Sequence, residues 1–291
     1  MIPRFALARP TTLADAYAAF AVTGGDAAYV AGGTELLQVM KMGFAQIGTL
    51  IDLKGIAELR GIAETADGSL RIGAATTHRD IERSALVRQH TPGLAALEAE
   101  VANIRVRSTG TIGGNLAFAE PHSDPATFLL ACGAIVELAG PAGSRELGIG
   151  EFIVGPLTTA READEAIVAV RIPAAAPGEG RAYEKLAFFE RPAASMAVCL
   201  RIVDGSVSSA TVAAGSLTEV PELVPGAAAA LVGSAANPDA LTAACAEAAA
   251  AFADLDVVPD LNGSADFKRH LAGVLLDRAA RAACAEALAR G

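Results

Sequence analysis

The chain has no tryptophan, and phenylalanine and tyrosine raise its aromatic share to only 4%. Its 52% hydrophobic content is therefore mostly alanine and aliphatic side chain, the composition of an alanine-rich globular protein. Histidine is scarce as well: His78, His90, His122 and His270 are the only four, and none lies in an H-E-x-x-H pair or a G-x-S-x-G elbow. That argues against zinc-dependent and serine-type hydrolysis. His122-Ser123-Asp124 carries the residue types of a triad, but consecutive loop residues point apart, so adjacency makes no triad. The four cysteines, Cys132, Cys199, Cys245 and Cys284, are widely spaced in apolar surroundings. They read as buried free thiols rather than cluster ligands. Positive charge is in deficit, with 23 Lys+Arg against 33 Asp+Glu, and a net charge of −10 offers no basic face to nucleic acid. No apolar run reaches the roughly 20 residues of a membrane span. The start, Met1-Ile2-Pro3-Arg4-Phe5, lacks an export pattern, so a cytoplasmic protein is expected. The G-x-G-x-x-G fingerprint is also missing, which counts against a Rossmann nicotinamide site.

What is present is two glycine loops. In the first, Tyr29-Val30-Ala31 reads as a strand, Gly32-Gly33 as a turn, and Glu35 to Met42 as a helix with Leu36, Leu37, Val39 and Met40 mostly inward. Paired glycines let backbone amides approach a ligand closely, and a strand, glycine turn and helix start can cradle an anion. The second loop is Thr109-Gly110-Thr111-Ile112-Gly113-Gly114-Asn115, whose hydroxyls would join free amides of Gly113 and Gly114. Either loop alone reads equally well as an ordinary chain reversal. The two together suit a diphosphate.

Along the chain, Thr11 or Thr12 caps a helix ending at Gly24-Gly25, and Leu50 to Leu53 is a strand, so the start reads as a small parallel β-α-β-α-β sheet. Leu59 to Ile62 and Leu70 to Ala74 flank the Asp67-Gly68 turn as a hairpin. Helices follow from Pro92 to about Ala102 and from Pro125 to Cys132, then strands at Ala134 to Leu138 and Glu165 to Ile172. The breaker-rich stretch from Ala174 to Gly180 is the linker candidate. Beyond it come strands at Ala182 to Ala187, Met196 to Val203 and Val207 to Ala214, and helices from Pro238 to Ala253 and from Ala265 onward.

The polar residues left over are the glycine loops with Thr76, Thr77, Asn115, Asp124 and Lys185. Amides, hydroxyls and a carboxylate without a reacting side chain suit a protein that holds a cofactor which does the chemistry.

On these residues the chain resembles the FAD-binding medium subunits of molybdenum hydroxylases. The segments that carry the resemblance are Ala31-Gly32-Gly33-Thr34-Glu35-Leu36-Leu37, Arg71 to His78, Thr111-Ile112-Gly113-Gly114-Asn115-Leu116, Asp124-Pro125-Ala126, Tyr183-Glu184-Lys185 and Gly263 to Arg269. The resemblance implies an α+β protein: a two-lobed FAD-binding domain of the PCMH (vanillyl-alcohol oxidase-like) type over 1–176, with lobes at about 1–56 and 57–176. A small α+β C-terminal domain of the carbon monoxide dehydrogenase flavoprotein type, a three-stranded sheet with helices, would occupy 177–291. It further implies that Val30, Ala31, Gly32, Gly33, Thr34, Glu35 and Leu36, with Thr109, Gly110, Thr111, Gly114 and Asn115, wrap the FAD diphosphate and ribityl chain. Thr76 joins these as a cofactor contact, Asp124 and Lys185 fall near the flavin, and Val101 and Ile167 or Val168 form apolar walls. No catalytic side chain and no metal ligand is expected on this chain. The implied partners are a molybdopterin-containing large subunit and a small subunit with 2Fe–2S clusters, as a dimer of heterotrimers. A stand-alone flavin oxidoreductase, or a non-redox binding or assembly protein of the same fold, are the alternatives. Two departures stand out: Arg191 to Val198 lacks an aspartate that many relatives carry, and the cysteine-bearing insertion of some relatives is absent.

Overall fold

Three short apolar strands, Ala6–Ala8, Thr49–Asp52 and Ala27–Val30, lie side by side in that order, all parallel, in a computed structural model that describes residues 2–290. The Leu13–Ala21 helix crosses between the first two in sequence. Of the two candidate caps it uses Thr12, whose hydroxyl accepts the Asp15 amide, and it buries Ala16 and Phe20 against Ile51. The second crossover helix, Leu36–Met42, departs from expectation: only Met40 is buried, while Leu36, Leu37 and Val39 are half-buried. It lies at the rim of the cleft described below, so one flank has no protein partner.

The second lobe is a five-stranded antiparallel sheet in the order Ile62–Glu64, Leu70–Gly73, Ala166–Ile172, Ile135–Gly140, Gly143–Gly148. Its first hairpin strand begins later than the sequence suggests. Leu59 ends a 3-10 turn, Ala57–Leu59, and Gly61 at φ 97° redirects the chain before Ile62. The Gly143–Gly148 strand was not anticipated because its first four residues are exposed and polar or small, with no alternation to read. Helices Pro92–Glu100, Ile112–Phe118 and Asp124–Ala131 pack beside this sheet and bury Leu94, Leu97, Ile112, Leu116, Phe128 and Leu129. Each such side chain contributes about 1.5–3 kcal/mol by leaving water.

The C-terminal part has three long antiparallel strands, Glu179–Ala187, Pro192–Val203 and Ser206–Gly215, plus a two-residue edge strand, Glu222–Leu223. Two of these start earlier than their alternation suggests: Glu179 lies inside the proposed linker, and Pro192 stands four residues before Met196, where the alternation begins. The reason in the first case is Gly180. A Cβ there would stand 1.9 Å from the Ala283 carbonyl oxygen, so this glycine lets the strand lie directly under the long Ala265–Arg290 helix. Tertiary packing therefore draws an apparent linker into the sheet. The two parts share a core, since Ala197, Cys199 and Ala213 of the C-terminal sheet pack with Phe128, Leu129 and Cys132. The four cysteines are buried free thiols, and Cys132 Sγ and Cys199 Sγ approach to 3.6 Å across the boundary. Among the described residues no helix is long and apolar enough to cross a membrane.

Candidate functional site

The two glycine segments meet. A Cβ built on Gly32 would lie 2.4 Å from the Thr109 carbonyl oxygen and 2.6 Å from Gly110 Cα, so the first loop sits directly on the second. Beside this contact opens a cleft of about 360 Å³. Its lining includes Val30 to Leu36, Val101, Gly110, Thr111, Gly114, Asn115 and Asp124. A smaller cavity of about 70 Å³ holds Ile167 and shares Tyr29, Val30, Ala31 and Gly114 with the cleft.

The loops do different work. Among the described residues, the amides of Gly32, Gly33, Thr34, Glu35 and Leu36 have no acceptor within the chain. Gly33 turns the backbone at φ 69°, and Glu35 opens the short helix with no side-chain cap. Uncompensated backbone donors at a cleft wall call for an external acceptor.

The second segment is not a loop of free amides, and that expectation is corrected. Gly113 and Gly114 lie in the first turn of the Ile112–Phe118 helix. The Gly113 amide donates to Ala74 O at 2.9 Å, and the Gly114 amide donates to Thr111 Oγ1 at 3.1 Å. The Ile112 amide is likewise taken, by Thr76 O at 3.1 Å. Gly113 is required by packing, because its Cβ would meet the Ala74 Cβ at 2.5 Å. This segment therefore offers the cleft surface and side chains, not a row of donors.

Three expected residues stand away from the main cleft and the smaller cavity. Thr76 is buried, its hydroxyl accepting from the Gly61 amide at 3.0 Å and donating to the Gly61 carbonyl at 3.2 Å. Thr109 lines a shallow outer groove. Lys185 approaches the cleft only through Asp124: its Nζ donates to Asp124 Oδ2 at 2.7 Å and to Glu100 O at 3.0 Å. Tyr183 donates to the other carboxylate oxygen. Asp124 is 4% exposed, and burial pushes its carboxyl above the usual range despite the lysine.

The cleft also holds residues that sequence reasoning passed over. His78 opens the His78–Arg83 helix and is buried, its Nδ1 2.7 Å from Glu98 Oε2. Arg161 stands in the turn before the Ala166–Ile172 strand and lines the cleft. Glu120, His122 and Arg191 line the mouth. His122-Ser123-Asp124 separates as consecutive loop residues do: Ser123 caps a helix and donates to Asn115 Oδ1, Asp124 faces Tyr183 and Lys185, and His122 turns to Glu120. Local spacing gave no signal for the Asp124 contacts, because Tyr183 and Lys185 come from a distant segment.

His122 bridges the two parts of the chain, its Nδ1 2.9 Å from Glu120 and its Nε2 2.9 Å from Asp260, which is itself 2.8 Å from the buried Lys268 Nζ. The hydrogen bond that the ring donates to Glu120, reinforced by the one to Asp260, raises the imidazole above its ordinary 6.5. Asp260 is held at about 2, where the bonds from Lys268 and His122 outweigh its burial. A raised histidine adds stability that is full below its unfolded value and is lost as pH rises through the folded one. Thermal midpoints are therefore expected to fall between pH 6.5 and the raised value in the wild-type protein and to flatten there in His122→Gln. Equal slopes for both proteins in melts across that window would dismiss the bridge as a stabilising element.

Comparison with known proteins shows the family. Residues 3–175 match a family model described as the FAD binding domain in molybdopterin dehydrogenase, and residues 190–283 match the CO dehydrogenase flavoprotein C-terminal domain. The carbon monoxide dehydrogenase medium chain of Hydrogenophaga pseudoflava is 37% identical over 285 residues, covering 97% of this chain and 98% of that one. The nicotine 6-hydroxylase medium subunit of Paenarthrobacter nicotinovorans is 32% identical, covering 95% and 96%. Among solved structures, the Hydrogenophaga pseudoflava carbon monoxide dehydrogenase lacking the Mo-pyranopterin moiety of its cofactor superposes with a TM-score of 0.91 at 37% identity, over 98% of this chain and 99% of that one. Quinoline 2-oxidoreductase from Pseudomonas putida 86 does so with a TM-score of 0.91 at 28% identity, over 99% of each chain. With its α+β two-lobed domain, its C-terminal sheet and a cleft walled by free amides, the chain belongs to the FAD-binding medium subunits of the molybdenum hydroxylase family, a group of oxidoreductase subunits.

Proposed function

We propose that this chain is the electron-transfer subunit of a heteromeric molybdenum hydroxylase, taking electrons from the 2Fe–2S clusters of a small partner subunit and passing them to an external acceptor. A molybdopterin-containing large subunit completes the assembly, as a dimer of heterotrimers in the cytoplasm. The observation that carries the reading is the run of unpartnered amides from Gly32 to Leu36 on the wall of the cleft.

The residues present fit FAD. The Gly32 to Leu36 amides would donate to the diphosphate, with Val30 and Ala31 leading the backbone in. Thr111, Gly114 and Asn115 would form the facing surface beside the ribityl chain, with Gly110 closing it against Gly32. Val101 and Ile167 give apolar contact, and Asp124, oriented by Lys185 and Tyr183, presents a carboxyl at the wall. Bound FAD supplies the redox chemistry; the chain contributes position, an anion site and exclusion of water. The flavin-binding unit would end at about residue 176, where the chain enters the C-terminal sheet.

Co-expression with a large molybdopterin subunit and a small cysteine-rich subunit tests this reading. The expected result is a yellow complex that reduces an acceptor on adding substrate, while the chain alone retains or rebinds FAD but turns over poorly. Full turnover by the isolated chain would favour a stand-alone flavin oxidoreductase. A colourless chain that ignores added FAD would favour a non-redox binding protein.

A further inference from the structure

Arg161 lines both the main cleft and the smaller cavity beside it, yet no carboxylate oxygen among the described residues lies within ion-pair distance of it. Its Nη1 donates to three main-chain carbonyls, of Glu162 at 2.8 Å, Ala163 at 3.2 Å and Glu165 at 2.7 Å. Nε and Nη2 have no acceptor within the described chain. The nearest candidate counter-ion is already spent: the Glu165 carboxylate accepts from Arg145 Nε at 2.7 Å, from Arg145 Nη2 at 2.8 Å and from the Glu162 amide at 2.8 Å. Tyr29 fastens this turn to the first glycine loop by donating to Asp164 O at 3.1 Å. Burial pushes the guanidinium below its ordinary pKa, which marks it as partly desolvated. Arginine stays charged regardless.

A desolvated cation without a counter-ion is costly unless an anion arrives. The carbonyls at Nη1 fix the guanidinium plane, leaving the remaining donors for a bidentate contact, the geometry in which arginine binds phosphate oxygens. We propose that Arg161 is a cofactor-binding residue, its free guanidinium edge neutralising the diphosphate of FAD across the cleft from the Gly32 to Leu36 amides. This rests on the flavin reading above and adds to it the charge that the amides alone do not supply. It separates the cofactor's two chemistries within the site: the diphosphate is held through Arg161, the isoalloxazine is not.

The test is equilibrium binding to the full cofactor-stripped chain of three probes: FAD, ADP, which keeps the diphosphate, and riboflavin, which lacks it. In Arg161→Gln, FAD and ADP are expected to weaken about tenfold or more, the scale of a charge-assisted hydrogen bond, with riboflavin unchanged. The wild-type affinity for ADP should fall with added salt, the Arg161→Gln slope should be flatter, and Arg161→Lys should keep the slope while recovering part of the affinity. Melting curves establish that each variant is folded. Should Arg161→Gln disturb its turn, the salt slope of Arg161→Lys decides: a slope as flat as that of glutamine overturns the proposal. Equal FAD affinity in wild type and Arg161→Gln, or an equal loss for riboflavin, overturns it too while leaving the flavin reading in place. A wild-type chain that binds no FAD overturns both.

Discussion

Gly32→Val protein is expected to purify without flavin. The new Cβ alone would fall 2.4 Å from Thr109 O and 2.6 Å from Gly110 Cα, both backbone atoms that cannot rotate away. The loops must separate, and the amide wall of Gly32 to Leu36 moves with them. Overpacking of this kind costs about 1–3 kcal/mol or more, which is roughly five- to 150-fold in affinity if it falls on the bound state. Gly33→Val acts differently, through a β-branched side chain forced to φ 69° and a Leu37 contact at 3.2 Å. It should lose flavin as well. Gly114→Val meets only the Thr111 hydroxyl, at 3.0 Å, and should lose less. The ratio of visible flavin absorbance to protein reports the result, with a melting curve to confirm folding. A folded Gly32→Val protein with full flavin content would end the cradle assignment.

The second large effect is on stability. Lys185→Met leaves the Asp124 carboxylate in a site only 4% exposed, with Tyr183 as its remaining donor. Removing one partner of a buried pair costs about 3–5 kcal/mol, because the other charge is left uncompensated. The acid can escape by taking a proton, and its carboxyl already sits above the usual range. A carboxyl whose folded pKa exceeds its unfolded one favours folding at low pH and loses that advantage as pH rises. The deficit of Lys185→Met should therefore grow from pH 5 to pH 8 in urea unfolding. Adding Asp124→Leu should restore part of it, since an apolar pair avoids the desolvation cost. A pH-independent deficit, or one within error of wild type, would contradict the pairing as the source.

What the sequence disclosed follows the range of the interaction. Gly32-Gly33 was legible because a strand, a turn and a helix start are written in contiguous residues. The second glycine pair was legible as a special position but misread in kind. Thr111 is a helix cap that accepts the Gly114 amide, and Gly113 is a packing glycine against Ala74. A threonine three residues before a glycine has the same appearance in a cap and in a ligand loop. Arg161, Glu120 and the His122 to Asp260 contact were illegible, because they depend on segments up to 138 residues apart. The early start of the Glu179–Ala187 strand was hidden for a related reason: Gly180 looks like a breaker until the Ala265–Arg290 helix is laid over it.

The apolar seam between the two parts of the chain also bears on how the protein can be dissected. Family boundaries at 175 and 190 suggest two pieces that could be cut apart. Yet Ala197, Cys199 and Ala213 are packed among Phe128, Leu129 and Cys132, and the hydroxyls of Thr127 and Ser195 crowd the space beside Gly215. A gene fragment ending at residue 176 would strip one face of the Asp124–Ala131 helix and strand the Asp124 carboxylate without Tyr183 or Lys185. Such a fragment should aggregate on release from the ribosome, and a half-molecule flavoprotein would need those positions resurfaced first.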